Sequence, residues 1–120
     1  MFISEVAQKT NLSIHTLRYY EKEGLLRIIH RNPAGQRIYH ASDLEWLAWI
    51  QRLKSTGMPL ADIKVFAALR QQGDCSLKDR QDLLAKHAVS LKREIERLNQ
   101  ELAIVEYKVD AYEEKLLALE

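Results

Sequence analysis

The sequence is poor in residues that build disulfide, metal and cofactor chemistry. Cys75 is the single cysteine among 120 residues, which excludes an intramolecular disulfide and gives no reason to expect an oxidising compartment. The four histidines match no metal-ligand spacing, and the sequence has no HExxH, CxxC or glycine-rich phosphate-binding motif. We therefore expect no metal, no cofactor and no enzymatic activity.

Long apolar runs are missing as well. No segment approaches the roughly 20 apolar residues of a membrane-spanning helix. The first residues, which include Glu5, lack the basic and apolar pattern of a signal peptide. A chain of this length is expected to form one domain with at most a dependent extension. These absences predict a cytoplasmic protein without a membrane partner.

Acidic residues are scarce in the first part of the chain, although the net charge is only +1. Between His15 and His40 five basic residues face two acidic ones, whereas after Leu91 eight acidic residues face five basic ones. This asymmetry favours contact between a polyanion and the first part of the chain.

Two short helices and a hairpin are predicted in the first 40 residues. Asn11 is expected to end the first helix in the left-handed conformation, and Ser13 to cap a second helix that ends at Gly24. Two helices joined by so tight a turn form a helix-turn-helix. The next segment, RIIHRNPAGQRIY, predicts a small β-hairpin with Ile28 and Ile29 in its first strand, which makes the arrangement winged.

Two further helices are expected to complete a small core. Ser42 and Glu45 match a capping box for the third helix, and Pro59 marks the beginning of the fourth. Trp46 and Trp49 lie at helical spacing on the third helix, where we expect core packing in preference to stacking on bases.

After Gly73 the sequence has neither glycine nor proline, and a single apolar pattern extends along it. Spacings of four and three alternate through Leu84, Ala88, Leu91, Ile95, Leu98, Leu102, Val105, Val109, Tyr112, Leu116 and Leu119. A helix from Ser76 onward is on the order of 65 Å long, and no other predicted helix can cover its apolar seam. We therefore predict a mainly α protein with a winged domain over residues 1–73 and a dimerisation helix over residues 76–120. The alternative, an internal helical hairpin, needs a turn that the sequence does not offer.

The second helix is predicted to expose polar and aromatic groups opposite the apolar side of Ile14 and Leu17. These groups are His15, Thr16 and Tyr19 at the centre of the face, with Arg18 and Tyr20 on its flanks. Arginine bonds bidentately to guanine, and tyrosine hydroxyls bond to phosphates, so the composition suits a recognition helix in a major groove. The alternative places Tyr20 in the core and pairs Arg18 with Glu21 or Glu23.

The stretch ISEVAQKTNLSIHTLRYYEKEGLL, followed by GQRIYHASDLEWLAWIQRLKSTGMPLADIK, resembles the DNA-binding domain of the MerR family of transcriptional regulators. The pieces TLRYYE, GLL, RIY and GMPLADIK match the family pattern in order and spacing over roughly the first 70 residues. The long terminal helix is similar to the family's antiparallel dimeric coiled coil. Asn11, where the pattern usually has glycine, is a departure from it.

The resemblance implies a homodimer that binds promoter DNA in which the −35 and −10 elements are spaced too far apart. On activation, members of the family kink and untwist this DNA and so align the two elements for RNA polymerase. In the wing, the resemblance implies that Arg37 and Tyr39 contact phosphates of the double-stranded DNA.

On the second helix, the resemblance places Thr16, Arg18 and Tyr19 in the major groove, and Tyr20 at or near the DNA backbone. The family pattern does not specify His15, so we expect this residue to help set operator preference. Two other functions stay open: a constitutive architectural protein that bends DNA without an effector, and a coiled-coil adaptor that binds proteins. The adaptor would leave the Arg-Tyr-Tyr face and the basic hairpin unexplained.

Cys75 lies in the segment GDCSLKDR between the fourth helix and the long helix. Ser76 and Asp79 match a capping box, so Cys75 is expected just before a helix N-terminus, where the dipole favours a thiolate. Lys78 and Arg80 add positive charge, and the adjacent aspartate opposes it. In metal-sensing members of the family a cysteine near this place is one metal ligand, but its partners come from a later loop. We expect a short regulator without that loop or an effector domain, in which Cys75 is either a thiol sensor or an incidental small residue.

Overall fold

The structure is a computed structural model that describes residues 1–27 and 30–120. Its elements are α1 (Ile3–Thr10), α2 (Ile14–Lys22), β1 (His30–Arg31), β2 (Arg37–Ile38), α3 (Ala41–Ser55), α4 (Leu60–Gln71), a 3₁₀ turn (Gly73–Ser76) and α5 (Leu77–Leu117). The predicted order of helix-turn-helix, wing, two helices and one long helix is confirmed.

The turn between α1 and α2 has the predicted local chemistry. Asn11 has a φ of 58°, in the left-handed region that asparagine tolerates. Ser13 caps α2 by accepting a hydrogen bond from the Thr16 N–H at 3.0 Å. One expectation was wrong: Ile14 is 37% exposed, because only the later turns of α2 reach the core.

The wing is a two-stranded antiparallel ribbon of β1 and β2. Asn32 closes its turn, with its side-chain oxygen accepting from the Gln36 N–H at 2.8 Å and its carbonyl accepting from the Gly35 N–H at 2.9 Å. Ile28 and Ile29, predicted to form the first strand, lie outside the described residues.

A single apolar core joins α1, α2, α3 and α4 with the residues around the wing. The buried residues are Val6, Leu17, Tyr20, Leu25, Leu26, Tyr39, Trp46, Leu47, Ile50, Leu53, Met58, Ile63, Phe66 and Ala67. The expected core position of Trp46 is confirmed, and its indole N–H donates to the Leu25 carbonyl at 2.6 Å. Trp49 is half-buried against the same core. Burying each large side chain of this kind contributes about 1.5–3 kcal/mol.

The start of α3 differs from the prediction. Helix α3 begins two residues earlier than a Ser42 cap requires, with His40 as the capping residue. The His40 N–H donates to the Asp43 carboxylate at 2.8 Å, whereas Ser42 and Glu45 are exposed. The capping box predicted for Ser42 and Glu45 is therefore wrong, because burial of the preceding Tyr39 fixes where the chain leaves the wing.

The start of α5 differs for a similar reason. Ser76 is buried, and its hydroxyl hydrogen-bonds with the carbonyls of Leu69 and Gly73. The same hydroxyl accepts from Arg80 Nε at 3.0 Å. Ser76 thus joins α4 to α5 through the 3₁₀ turn, and the capping box predicted with Asp79 is wrong.

The chain divides into two compact units, Met1–Leu84 and Ala85–Glu120. Leu83 and Leu84 pack against the core of the first unit. The second unit is helical to Leu117. Seven side chains of the predicted apolar seam each expose between about half and two thirds of their surface: Ile95, Leu98, Leu102, Val105, Val109, Tyr112 and Leu116. No described helix is long and apolar enough to cross a membrane. The boundary that the sequence places between residues 73 and 76 stays a prediction; the 3₁₀ turn occupies Gly73–Ser76.

Candidate nucleic-acid interface

Helix α2 has one buried and one exposed face. Leu17 is fully buried and Tyr20 is 2% exposed, and together they fix the helix to the core. His15, Arg18 and Tyr19 are exposed, and Tyr19 keeps 40% of its surface accessible. The structure thus brings three of the predicted groove residues onto one face.

Thr16, the fourth predicted groove residue, is half-buried at the start of the same helix. Its hydroxyl lies 2.8 Å from the Ser13 hydroxyl, so part of its hydrogen-bonding capacity is used within the helix cap.

The two tyrosines predicted to lie near the DNA backbone are in the core. Tyr20 accepts a hydrogen bond from Lys54 Nζ at 3.2 Å, and the same ammonium group lies 5.2 Å from the centre of its ring. Tyr39 is 1% exposed, and its hydroxyl has no hydrogen-bond partner in the part of the chain that the structure describes. Burial, followed by the nearby Glu21 carboxylate, raises the pKa of Tyr39. In this conformation a phosphate cannot reach the Tyr39 hydroxyl. Tyr20 lies in the core, as the alternative prediction for this residue has it.

Two ion pairs flank α2. Arg37 Nε lies 2.6 Å from a Glu21 carboxylate oxygen, as an ion pair in which the N–H is not aligned for a hydrogen bond, and this carboxylate raises the pKa of Arg37. Lys64 Nζ on α4 lies 2.5 Å from the Glu23 carboxylate, which raises the pKa of Lys64 and lowers that of Glu23. Both acidic residues are therefore engaged elsewhere, and Arg18 forms no ion pair in residues 1–27 and 30–120.

An open cleft of about 190 Å³ lies beside Arg18. Its lining includes Phe2 and Ile3 at the start of α1, and Gln36 and Arg37 of the wing. Two guanidinium groups at one open cleft suit an anionic group such as a backbone phosphate. The arrangement continues the exposed face of α2 towards the wing.

Cys75 is exposed in the 3₁₀ turn, where its thiol donates to the Gln72 carbonyl at 3.3 Å. The two cations predicted to favour its thiolate have other contacts. Lys78 pairs with Asp82 at 2.9 Å, and Arg80 donates to the Gly73 carbonyl at 3.0 Å. Among the described residues, no group of three or more histidine, cysteine or acidic side chains could hold a metal ion.

Comparison with known proteins decides the family. Residues 1–84 match the family described as MerR HTH family regulatory protein. The chain belongs to the MerR family. A helix-turn-helix-type transcriptional regulator of Haemophilus influenzae is 39% identical to this MerR-family chain over 110 residues, which cover 92% of the chain and 82% of the relative.

Solved structures of the MerR family have the same fold. The crystal structure of HiNmlR, a MerR family regulator lacking the sensor domain, bound to promoter DNA, matches with a TM-score of 0.83 and 38% identity, covering 94% of this chain and 90% of that one. A MerR family regulator from Listeria monocytogenes matches with a TM-score of 0.89 and 33% identity, covering 94% and 86%. This MerR-family chain is a DNA-binding transcriptional regulator, not an enzyme.

The Glu21–Arg37 pair gives a testable effect on DNA binding. Glu21→Gln removes the charge that competes with phosphate for Arg37, so we expect Arg37 to contact phosphate more fully and the slope of log affinity against log salt to steepen by less than about one unit. Arg37→Ala should weaken binding to all sequences and make that slope shallower, and the two changes together should amount to about one unit, because one guanidinium neutralises about one phosphate charge. Fluorescence anisotropy of labelled duplexes at several salt concentrations measures both slopes.

Glu94→Gln is the matched control for Glu21→Gln. It makes the same change in net charge and frees Arg97, whose guanidinium contacts Glu94 at 2.6 Å on α5. We expect the salt slope of this variant to stay at the wild-type value. A wild-type slope for both Glu21→Gln and Arg37→Ala would mean that Arg37 does not reach the DNA.

Proposed function

We propose that this regulator binds promoter DNA as a homodimer and distorts an operator with an overlong spacer between the −35 and −10 elements. The observation that carries this proposal is the exposed face of α2, where the guanidinium of Arg18 lies beside the wing and forms no ion pair among the described residues. Likeness to HiNmlR, which was crystallised on promoter DNA, supports the same ligand for this chain. The partner at the promoter would be RNA polymerase.

In this proposal the side chains of α2 have different roles. Arg18 bonds to a guanine edge, and His15 and Tyr19 contact neighbouring bases or phosphates in the major groove. Thr16, whose hydroxyl contacts the hydroxyl of the capping residue Ser13, approaches the DNA at the start of the helix. Arg37 contacts a phosphate from the wing. Tyr20 and Tyr39 act from the core by fixing α2 and the wing in place.

The dimer is proposed to form through the seam of α5. Its members are Leu84, Leu91, Ile95, Leu98, Leu102, Val105, Val109 and Tyr112. A helix of 41 residues is about 60 Å long, and the heptad spacing of its apolar residues is the pattern of a coiled coil. A second copy, antiparallel to the first, would cover this surface.

Selection of bound duplexes from a random DNA pool tests the function, followed by transcription from a promoter that contains the selected site. We expect an inverted repeat, because a twofold dimer selects a twofold site. We also expect RNA polymerase to respond to the protein more strongly with an overlong spacer than with one of ordinary length. The absence of any enriched duplex would contradict the proposal. A transcription effect that is independent of spacer length would favour an architectural protein.

The sensing role of Cys75 stays a prediction with a direct test. If the exposed thiol detects oxidants or electrophiles, Cys75→Ser should abolish promoter activation by aldehyde or peroxide and leave basal DNA affinity unchanged. Metal challenge is included as a third arm. Cys75→Ala separates loss of the thiol from any effect of the serine hydroxyl. Responses of both variants that equal the wild-type response in every arm would exclude the sensor.

A further inference from the structure

An open cleft of about 310 Å³ lies between α3, α4 and the first turns of α5, all within the first unit. Aromatic rings form its apolar wall. Trp46 and Phe66 stack with ring centroids 5.9 Å apart and planes 11° apart, and Trp49 tilts against Phe66 at 6.4 Å. Small-molecule sites are concave, mostly apolar and aromatic, contain a few placed polar groups, and begin at about 300 Å³. This cleft has a volume at the lower end of that range, and three aromatic and four polar or charged side chains line it.

Two guanidinium groups border the aromatic wall. The guanidinium of Arg70 lies 4.5 Å from the centre of the Trp46 ring, as a cation–π contact. Arg80 donates to the Ser76 hydroxyl and the Gly73 carbonyl, both at 3.0 Å, which uses two of the five N–H groups of a guanidinium and fixes its plane. Neither arginine forms an ion pair with a carboxylate among the described residues. Both keep N–H donors for a ligand.

The charges and shapes of the lining define the class of ligand. Glu45 is the one acidic residue among the lining residues, so two cations against one carboxylate leave a single positive charge. A guanidinium fork matches a carboxylate, and the ring of the half-buried Trp49 matches a conjugated ring. We propose that this cleft binds a planar aromatic monocarboxylate, with its carboxylate on Arg70 and Arg80 and its ring against the aromatic wall.

The tryptophans provide a local probe of this cleft. Trp46 and Trp49 are the two tryptophans of the chain, and both line the cleft, so both indole N–H signals in a proton–nitrogen NMR spectrum report on it. Salicylate, added to the full chain, should shift the Trp49 signal saturably. Salicylamide, with the ring but no charge, and cyclohexanecarboxylate, with the charge but no aromatic ring, should each bind at least about ten-fold more weakly. Equal affinity for the three compounds, or no shift with salicylate, would overturn the proposal.

Variants separate the proposed site from general adsorption. Arg70→Gln should raise the dissociation constant for salicylate about ten-fold, because it removes one charged donor. Arg52→Gln is the matched control, since Arg52 is exposed on α3 and outside the lining, and it should bind as the wild type does. A wild-type dissociation constant for Arg70→Gln would overturn the proposal.

A second copy of the chain could instead occupy the cleft. In that case the wild type would ignore salicylate while a monomeric variant, Leu98→Asp, would bind it, and the proposal would fail for the native protein. The titration contains no DNA, so its failure would leave the proposed promoter function untouched.

Discussion

Replacing Leu98 with aspartate should convert the proposed dimer into monomers and abolish operator binding. Leu98 lies in the middle of the seam and is 52% exposed in the single chain, so dimerisation is what would bury it. Twofold symmetry places the new carboxylate in the interface twice, and each uncompensated buried charge costs about 3–5 kcal/mol. Sedimentation velocity measures the loss of the dimer, and fluorescence anisotropy measures the loss of operator affinity.

The control places the same carboxylate on the other side of α5. Gln100→Asp lies two residues further on, outside the alternating spacing of the seam, and is exposed. We expect it to sediment as a dimer and to bind the operator as the wild type does. Circular dichroism should show full helix content for both variants at low temperature. A Leu98→Asp variant that still sediments as a dimer would place the interface elsewhere.

Cysteine cross-linking distinguishes the two possible orientations of the pair. When the complete seam pairs with itself in antiparallel fashion, Leu102 lies near the twofold axis and Leu98 faces Val105 of the other copy. In a parallel pair each residue faces its own equivalent. In a Cys75→Ser background, Leu98→Cys mixed with Val105→Cys should therefore form the mixed disulfide in preference to either self-disulfide. Preferential self-linking of Leu98→Cys would show a parallel pair.

Features that depend on local chemistry were predictable from the sequence. The left-handed Asn11 and the Ser13 cap follow from the conformational preferences of those residue types, and both are present. The order of helices follows from apolar spacing and from the glycines that follow α2, α3 and α4. Gly73, for example, has a φ of 80° where α4 gives way to the 3₁₀ turn.

Features that depend on tertiary contacts were not predictable. Tyr19 and Tyr20 are neighbours with the same side chain, and only packing against α3, with Lys54 over the second ring, decides which one is buried. Ser76 matches the sequence pattern of a helix cap, but its hydroxyl hydrogen-bonds with the carbonyl of Leu69 on α4, seven residues earlier. Lys64 was missed for the same reason, because its partner Glu23 lies 41 residues away.

The availability of Arg18 also depends on these distant contacts. Glu21 and Glu23 lie within reach of Arg18 in the sequence, but Arg37 and Lys64 hold them. An arginine that is exposed and unpaired retains all five of its N–H groups for a ligand. Such an arginine loses no existing ion pair when it bonds to a guanine edge, so its contribution to sequence discrimination should be large.

Arg18→Ala should therefore weaken binding to the selected operator by about 1–3 kcal/mol and binding to random duplex far less, because a bidentate contact to guanine is lost only where that guanine is present. Anisotropy titrations of both duplexes at one salt concentration measure how much the substitution weakens binding to each of them. Lys22→Ala, which removes another exposed cation from α2, should weaken binding to both duplexes by similar factors. Equal losses on the two duplexes for Arg18→Ala would assign Arg18 to the phosphate backbone, and base discrimination would then have to come from His15, Thr16 and Tyr19.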